Sequence, residues 1–448
     1  MIVQKTSETF LGADAIREVT AEALAKRDLA AKRVLVIIPD HTRTAPLPML
    51  FRMLFDLLAP KVKKLDYLVA LGTHPPMSDD QINRLIGVTP AERAGKYAAV
   101  DVYNHLWKDP QHLRQIGVIT ADEIAAQTGG KMRESVPVIL NKLIFDYDHL
   151  LIVCPVFPHE VAGFSGGHKY LFPGIAAQEI IDFTHWLGAV NTNPVIIGNR
   201  DTPVRWVIER AASFVKVPRT CLAFVVGSSP AGECGAAEDA QDEPGLTDRE
   251  LCKAPVVGLF VGDVLEAWRA ASAFSAKHHI LYVDKPFKQV LSCAPPMYDD
   301  IWTAGKCMYK LEPVLADDAE LIIYAPHVTE VSYTHGKILD EVGYHVRDYF
   351  LKQWDKFKDY PRGVLAHATH VKGIGTYEDG VETPRVNVVL ATGIPEERCR
   401  RINLGYRDPA TVDVESFANR EDEGVLLVRK AGEHLYRLKD GSIPRIPG

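Results

Sequence analysis

No apolar run in this sequence is long enough to cross a bilayer. The longest, such as Leu150 to Phe157, are strand-length and well short of the ~20 residues a spanning helix needs. Basic residues are not in excess either: Lys and Arg total 51 against 58 Asp and Glu, a mild acidity that leaves no footprint for nucleic acid. Cysteine is sparse. The seven, at 154, 221, 234, 252, 293, 307 and 399, are scattered, odd in number and without a C-x-x-C pair, which reads as reduced thiols in a cytoplasm. The opening "MIVQKTSETFLG" has no basic start followed by an apolar core, so no secretory signal is expected. Repeats, heptads and low-complexity tracts are missing as well. No membrane and no nucleic-acid partner is therefore expected.

At 448 residues the chain exceeds one ordinary core, so two domains are expected. Apolar runs alternate with helix-like segments through the first half, the pattern of an α/β domain with a mostly parallel sheet. The strand-like runs are 33–40, 64–74, 149–159, 221–227 and 256–262. Helices are predicted over 48–58, 78–86, 176–188 and 264–277, and the small, acidic stretch 228–245 reads as a surface loop. A second alternating set, near 290, 322, 389 and 427, predicts a second α/β domain. The expected fold is thus α/β, two α/β domains with the active site in the cleft between them. The boundaries are 1–275 for the N-terminal domain, 276–415 for the C-terminal domain, and 416–448 for a segment able to pack back on the first.

Three of the first-domain strands end in a polar cluster holding a histidine: Asp40-His41-Thr42-Arg43, Gly72-Thr73-His74 and Pro158-His159-Glu160. In parallel α/β sheets ligands bind outside the carboxyl ends of strands, so the three clusters point at one place. A single loop histidine is usually only solvated or hydrogen-bonded, but three such strand ends make coincidence a weaker account.

The densest stretch is "HEVAGFSGGHKYLFPG", His159 to Gly174. Gly163, Gly166 and Gly167 permit positive φ and leave room for backbone N–H groups to approach a phosphate. A Walker loop is excluded, because "GGHKY" does not set lysine between Gly and Ser or Thr, and the dinucleotide G-x-G-x-x-G spacing also fails. Lys169 is open to three readings: a phosphate contact, a carboxylate partner, or an amine made nucleophilic by burial, beside the bland one of a surface lysine at a turn. His185, in "IIDFTHWLG", is at helical spacing where a packed core histidine is the usual outcome. No common zinc spacing links His159, His168 and His185, so a metal here would take few ligands from the protein.

The motifs "DHTR", "LGTH" and H-E-x-x-G-F-S-G-G-x-K-x-x-x-P-G followed by "THW", in this order, resemble the nickel-dependent lactate racemase family, most densely over 40–190. The resemblance implies a nickel-pincer nucleotide, a pyridinium-3-thioamide-5-thiocarboxylate mononucleotide holding Ni through two sulfurs and a ring carbon. It implies that Lys169 joins this cofactor covalently as a thioamide and that His185 is the protein ligand of the metal. Asp40, with Gly163, Ser165, Gly166 and Gly167, would support the cofactor. His74 and His159 would serve as acid and base on opposite faces of a 2-hydroxy acid whose carboxylate pairs with Arg43. In the mechanism so implied, one histidine takes the hydroxyl proton as the C2 hydride leaves, and the hydride returns to the other face of the keto acid. Cofactor-biosynthesis proteins are implied as partners. Borderline Ni²⁺ accepts imidazole beside sulfur, so a single protein ligand is chemically sufficient.

The same resemblance aligns Lys306, at the end of "YDDIWTAGK", with a substrate-facing lysine. Trp302 and Thr303 stand where the lactate enzymes carry tyrosine and glutamine, which favours a longer or polyhydroxylated acid at least as well as lactate. Trp302 packing the domain interface is the bland alternative. Trp354 is matched to a tryptophan near the cofactor. His41 and His168 receive no role, and the histidines at 278, 279, 367 and 370 are read as surface or structural. Two other functions compete. A 2-hydroxy acid oxidoreductase or dehydratase would use the same crevice, and a non-catalytic carrier of the nickel nucleotide would bind cofactor without turning over substrate.

Overall fold

The structure is a computed structural model that describes residues 1–227 and 254–446. The stretch 228–245, expected as a surface loop, lies outside the described residues.

Among the described residues the first domain is built on a seven-stranded sheet. Its order is Val3–Thr6, Val256–Gly262, Arg219–Val226, His149–Pro155, Arg33–Ile38, Lys64–Val69 and Val102–Asn104. The last five are mutually parallel, and Val256–Gly262 runs antiparallel to both its neighbours. These strands are near-continuous Val, Ile and Leu because both sheet faces are covered. Along Arg33–Ile38 the pleat sends Leu35 and Ile37 into one core and Val34, Val36 and Ile38 into the other. The second of these cores holds the helices Ala13–Ala25, Leu47–Leu58 and Asp79–Ile86. The first holds Gln178–Asn191, Pro203–Ala212 and Val264–His279.

The order of strand addition creates the crevice. Lys64–Val69 and Val102–Asn104 are laid down on one side of Arg33–Ile38, and the chain then returns to place His149–Pro155 on the other. Connections leaving Arg33–Ile38 and its neighbour diverge at this switch point, which opens a gap above their carboxyl ends.

The second domain carries a parallel five-stranded sheet in the order Gly405–Tyr406, Asn387–Thr392, Leu315–Ala325, Phe287–Cys293 and Val425–Val428. Its helix Arg362–Lys372 packs on Gln178–Asn191 of the first domain, and one apolar core runs through both domains. The C-terminal stretch has two destinations. Val425–Val428 completes the second sheet, whereas Leu435–Leu438 pairs with Ile280–Val283 and returns to the first domain, where Arg437 donates to the Ile197 carbonyl. A two-stranded ribbon, Leu113–Ile119 with Val136–Asn141, covers a flank that strand patterning did not mark.

Candidate active site in the interdomain cleft

The segment His159–Gly174 is held from below by packing rather than left open as a cradle. His159 and Gly163 face each other across a two-residue ribbon. Gly163 has φ +77° and lies so close to the next loop that a Cβ would sit 1.8 Å from the Asn199 carbonyl oxygen. A Cβ on Gly166 would meet Val156 at 2.7 Å, and one on Gly167 would meet Trp268 at 2.9 Å. The amide of Ser165 donates to the Phe157 carbonyl at 2.8 Å, and that of Gly167 to Cys154 Sγ at 3.3 Å. The reading of these glycines as a phosphate cradle is therefore corrected. Their lack of a side chain serves close packing against protein, and none of the three lines the cleft.

Residues with no sequence signal hold this loop. Arg205 is buried, lies over the Trp268 ring at 3.9 Å, and donates to the Gly166 carbonyl at 3.4 Å. The Trp268 indole N–H donates to the Ser165 carbonyl at 2.8 Å. His168 is an internal strut: its Nδ1 meets Glu209 at 2.6 Å and its Nε2 accepts from Arg219 at 2.9 Å.

Above the switch point is a cleft of about 1250 Å³, counting the space open at its mouth, with walls from both domains. It gathers Asp40, Arg43, His74, His159, Ser165, Lys169 and His185 from the first domain with Trp302, Thr303 and Lys306 from the second. Glu160, part of the strand-end cluster, also lines it but was given no role from the sequence, and the sequence reading missed Tyr309, His367 and His370. Histidines 367 and 370 are buried in the cleft wall, one helical turn apart on Arg362–Lys372, rather than peripheral. Trp354 does not line the cleft; it stacks on Trp186 with ring centroids 5.3 Å apart.

Asp40 is buried and accepts short hydrogen bonds from His74 Nδ1 and, at 2.6 Å, from the Thr42 hydroxyl. Burial alone would raise its pKa, but the His74 hydrogen bond and charge, with Arg43 nearby, hold the carboxyl well below the usual range. The Thr42 hydroxyl in turn accepts from Arg43 at 2.9 Å, so one chain of bonds orients carboxylate, imidazole and guanidinium. His159 is buried, and that burial, reinforced by Lys169 and Arg43, pushes its pKa well down. His159 Nδ1 accepts from the Val161 amide at 3.1 Å.

Lys169 keeps some accessible surface, and that surface faces the cleft. Burial first, and the positive charge of Arg43 second, lower its amine to about 7. Burial lowers Lys306 to about 8. His185 Nδ1 lies 2.6 Å from the Ile181 carbonyl, which can only accept; the ring proton is therefore on Nδ1 and Nε2 keeps its lone pair, the form that ligates metals. Among the described residues no three His, Cys, Asp or Glu groups are placed to hold a metal ion. Any metal here must bring most of its ligands. A lone-pair imidazole and a neutralisable amine on one wall fit a metal carried by an organic group.

The second-domain wall begins at Asp300, whose carboxylate accepts from the Thr303 amide at 2.9 Å and starts the turn Ile301–Ala304. That turn lays Trp302 against His367, centroids 4.2 Å apart, and against His335 at 4.6 Å. The indole is thus fixed at the cleft edge and also packs within its own domain.

Residues 5–196 match the lactate racemase N-terminal domain. Lactate racemases of Thermoanaerobacterium thermosaccharolyticum and Lactiplantibacillus plantarum are 30% identical over 168 residues and 27% over 201. These alignments span 36% and 44% of this chain and only 34% and 41% of the two relatives. A crystal structure of a Thermotoga maritima protein is 31% identical and superposes with a TM-score of 0.81 over 97% of this chain and 100% of that one. The lactate racemase apoprotein from T. thermosaccharolyticum has a TM-score of 0.69 at 18% identity, over 97% and 94% of the two chains, and so shares the fold.

Proposed function

We propose that the chain is a member of the lactate racemase family, whose N-terminal domain matches residues 5–196, and that it is a racemase or epimerase inverting C2 of a 2-hydroxy acid. The observation that carries the reading is the meeting of His74, His159, Lys169 and His185, from the loop after Lys64–Val69, the segment His159–Gly174 and the helix Gln178–Asn191, on one cleft. A dehydrogenase using free nicotinamide would need a dinucleotide loop, and the glycines here are packed against protein.

The residues fit a tethered nickel-pincer nucleotide. Lys169 would carry it covalently, His185 Nε2 would ligate the metal, and Asp40 would support the site. The chemistry the group supplies when bound is reversible acceptance of the C2 hydrogen as hydride. The protein does the remainder. Arg43, which lines the cleft, pairs with the substrate carboxylate and fixes its orientation. Lys306 adds a second cation on the facing wall, so an anionic substrate is held between domains. His74 and His159 exchange a proton with the C2 oxygen, one on each side, each acting as base in one direction and acid in the other. Walls contributed by both domains exclude water while the acid lacks its C2 hydrogen. Trp302 and Thr303 bound the substrate side chain, and Thr303 leaves more room than the family's glutamine. A cytoplasmic site accords with the free thiols of all five described cysteines, Cys154 and Cys221 among them with sulfurs 3.6 Å apart. Proteins that build the cofactor would be its partners.

The test is production in a host that makes the cofactor. The expected results are a mass adduct on Lys169 with stoichiometric nickel, and inversion of a 2-hydroxy acid, read by chiral chromatography with no added NAD. His74→Ala and His159→Ala should each lower turnover about 10²–10⁴-fold with the adduct retained. Near-normal turnover in both variants would defeat the assignment.

A further inference from the structure

The two histidines assigned to proton transfer, His74 and His159, are held in opposite tautomers when neutral. At His74, Nδ1 faces the ionised carboxylate of Asp40, an acceptor only, so Nδ1 carries a hydrogen and, in the neutral ring, Nε2 is the lone pair. At His159, Nδ1 lies 3.1 Å from the backbone amide of Val161, which can only donate. The neutral ring must therefore keep its hydrogen on Nε2. Of the two neutral rings, only that of His74 has a vacant nitrogen for a hydroxyl proton; that of His159 offers an N–H instead.

A second partner stands beside the same nitrogen. Glu160 Oε2 is 3.3 Å from His159 Nδ1, and among the described residues this carboxylate has no other ion pair. Glu160 also lines the cleft, where its negative charge opposes those of Lys169 and Lys306. Protonation of the resting ring at Nδ1 breaks the Val161 contact and gives an imidazolium whose Nδ1–H can donate to Glu160. Release of the Nε2 proton to a substrate oxygen then leaves a neutral ring that still holds Nδ1–H on Glu160 and has Nε2 as a lone pair. A proton taken from the next hydroxyl restores the imidazolium.

We propose that Glu160 is the positioning residue that brings His159 into the proton-transfer cycle, and that the Val161-bonded ring is a resting form outside it. The proposal rests on the racemase reading for its consequence, though not for the tautomers. Asp40 does the same service for His74, because among the described residues no backbone amide competes for that Nδ1. Glu160 must instead displace one.

Long-range ¹H–¹⁵N spectra of apoprotein labelled at histidine read the tautomers directly, with His74→Asn and His159→Asn assigning the signals. The expected pattern is Nδ1–H at His74 and Nε2–H at His159. In cofactor-loaded enzyme, Glu160→Gln and Glu160→Ala should lower kcat about 10²-fold or more. The Lys169 adduct and nickel content should stay unchanged, and Glu160→Asp should recover part of the loss. The proposal is overturned if both rings show the same tautomer, or if an active racemase keeps kcat within about twofold in both Glu160 variants. An adduct-bearing wild type that inverts no 2-hydroxy acid would overturn the functional reading instead, whatever the spectra show.

Discussion

Competitive acylation of the apoprotein across a pH series measures the basicity of Lys169, on which covalent loading depends. With its amine at about 7, roughly half of Lys169 is unprotonated at neutral pH, whereas a lysine at the ordinary 10.5 has only about 3 parts in 10⁴ free. The free-base advantage is therefore about 10³. Burial is the larger cause and Arg43 the second, so Arg43→Gln should raise the midpoint only part of the way toward 10.5. Glu160 opposes the shift, so Glu160→Gln should lower the midpoint further. The linkage has the matching sign. Between about 7 and 10.5 the unfolded chain binds a proton that the folded one does not. This term thus favours the fold most above 10.5 and is lost as pH falls through 7. The assay is labelling by a small acylating reagent, followed by peptide mass spectrometry at Lys169. A midpoint near 10.5 in the parent protein, or one indifferent to both substitutions, would refute the electrostatic argument.

Two other perturbations separate packing from recognition. Gly163→Ala puts a methyl 1.8 Å from the Asn199 carbonyl oxygen at a φ of +77°, and should cost upwards of about 2 kcal/mol, seen as a fall in Tm of roughly 2 °C or more; an unchanged Tm would refute the packing role. Trp302→Tyr with Thr303→Gln restores the lactate-enzyme residues on the cleft wall. It should raise the kcat/KM ratio of lactate over a longer 2-hydroxy acid about tenfold, and an unmoved ratio would place specificity elsewhere.

Much of the first domain was legible in one dimension because its signals are local. Val34, Val36 and Ile38 alternate with Leu35 and Ile37 in a run that only a doubly covered strand explains, and the strand ends are marked by Asp40, His74 and His159. Lys169 and His185 took their roles from the resemblance of their motif to the lactate racemase family; their spacing alone left both open. Other features were illegible because they are set by chain segments far apart in sequence. The glycines of 163–167 read as a cradle until Asn199 and Trp268, from distant loops and helices, were seen to occupy the space. Histidines 367 and 370 carry no motif, and they reach the cleft only because Arg362–Lys372 packs on the helix of His185.

The sequence by itself determined which strands form and which polar groups stand at their ends, since pleat and burial depend on neighbours a few residues away. Only the tertiary structure decided the charge and tautomer of those groups. A burial-lowered amine at Lys169, an Asp40-backed His74 and a His159 shared between Val161 and Glu160 depend on which atoms the fold brings within about 3 Å, and on how much water it removes.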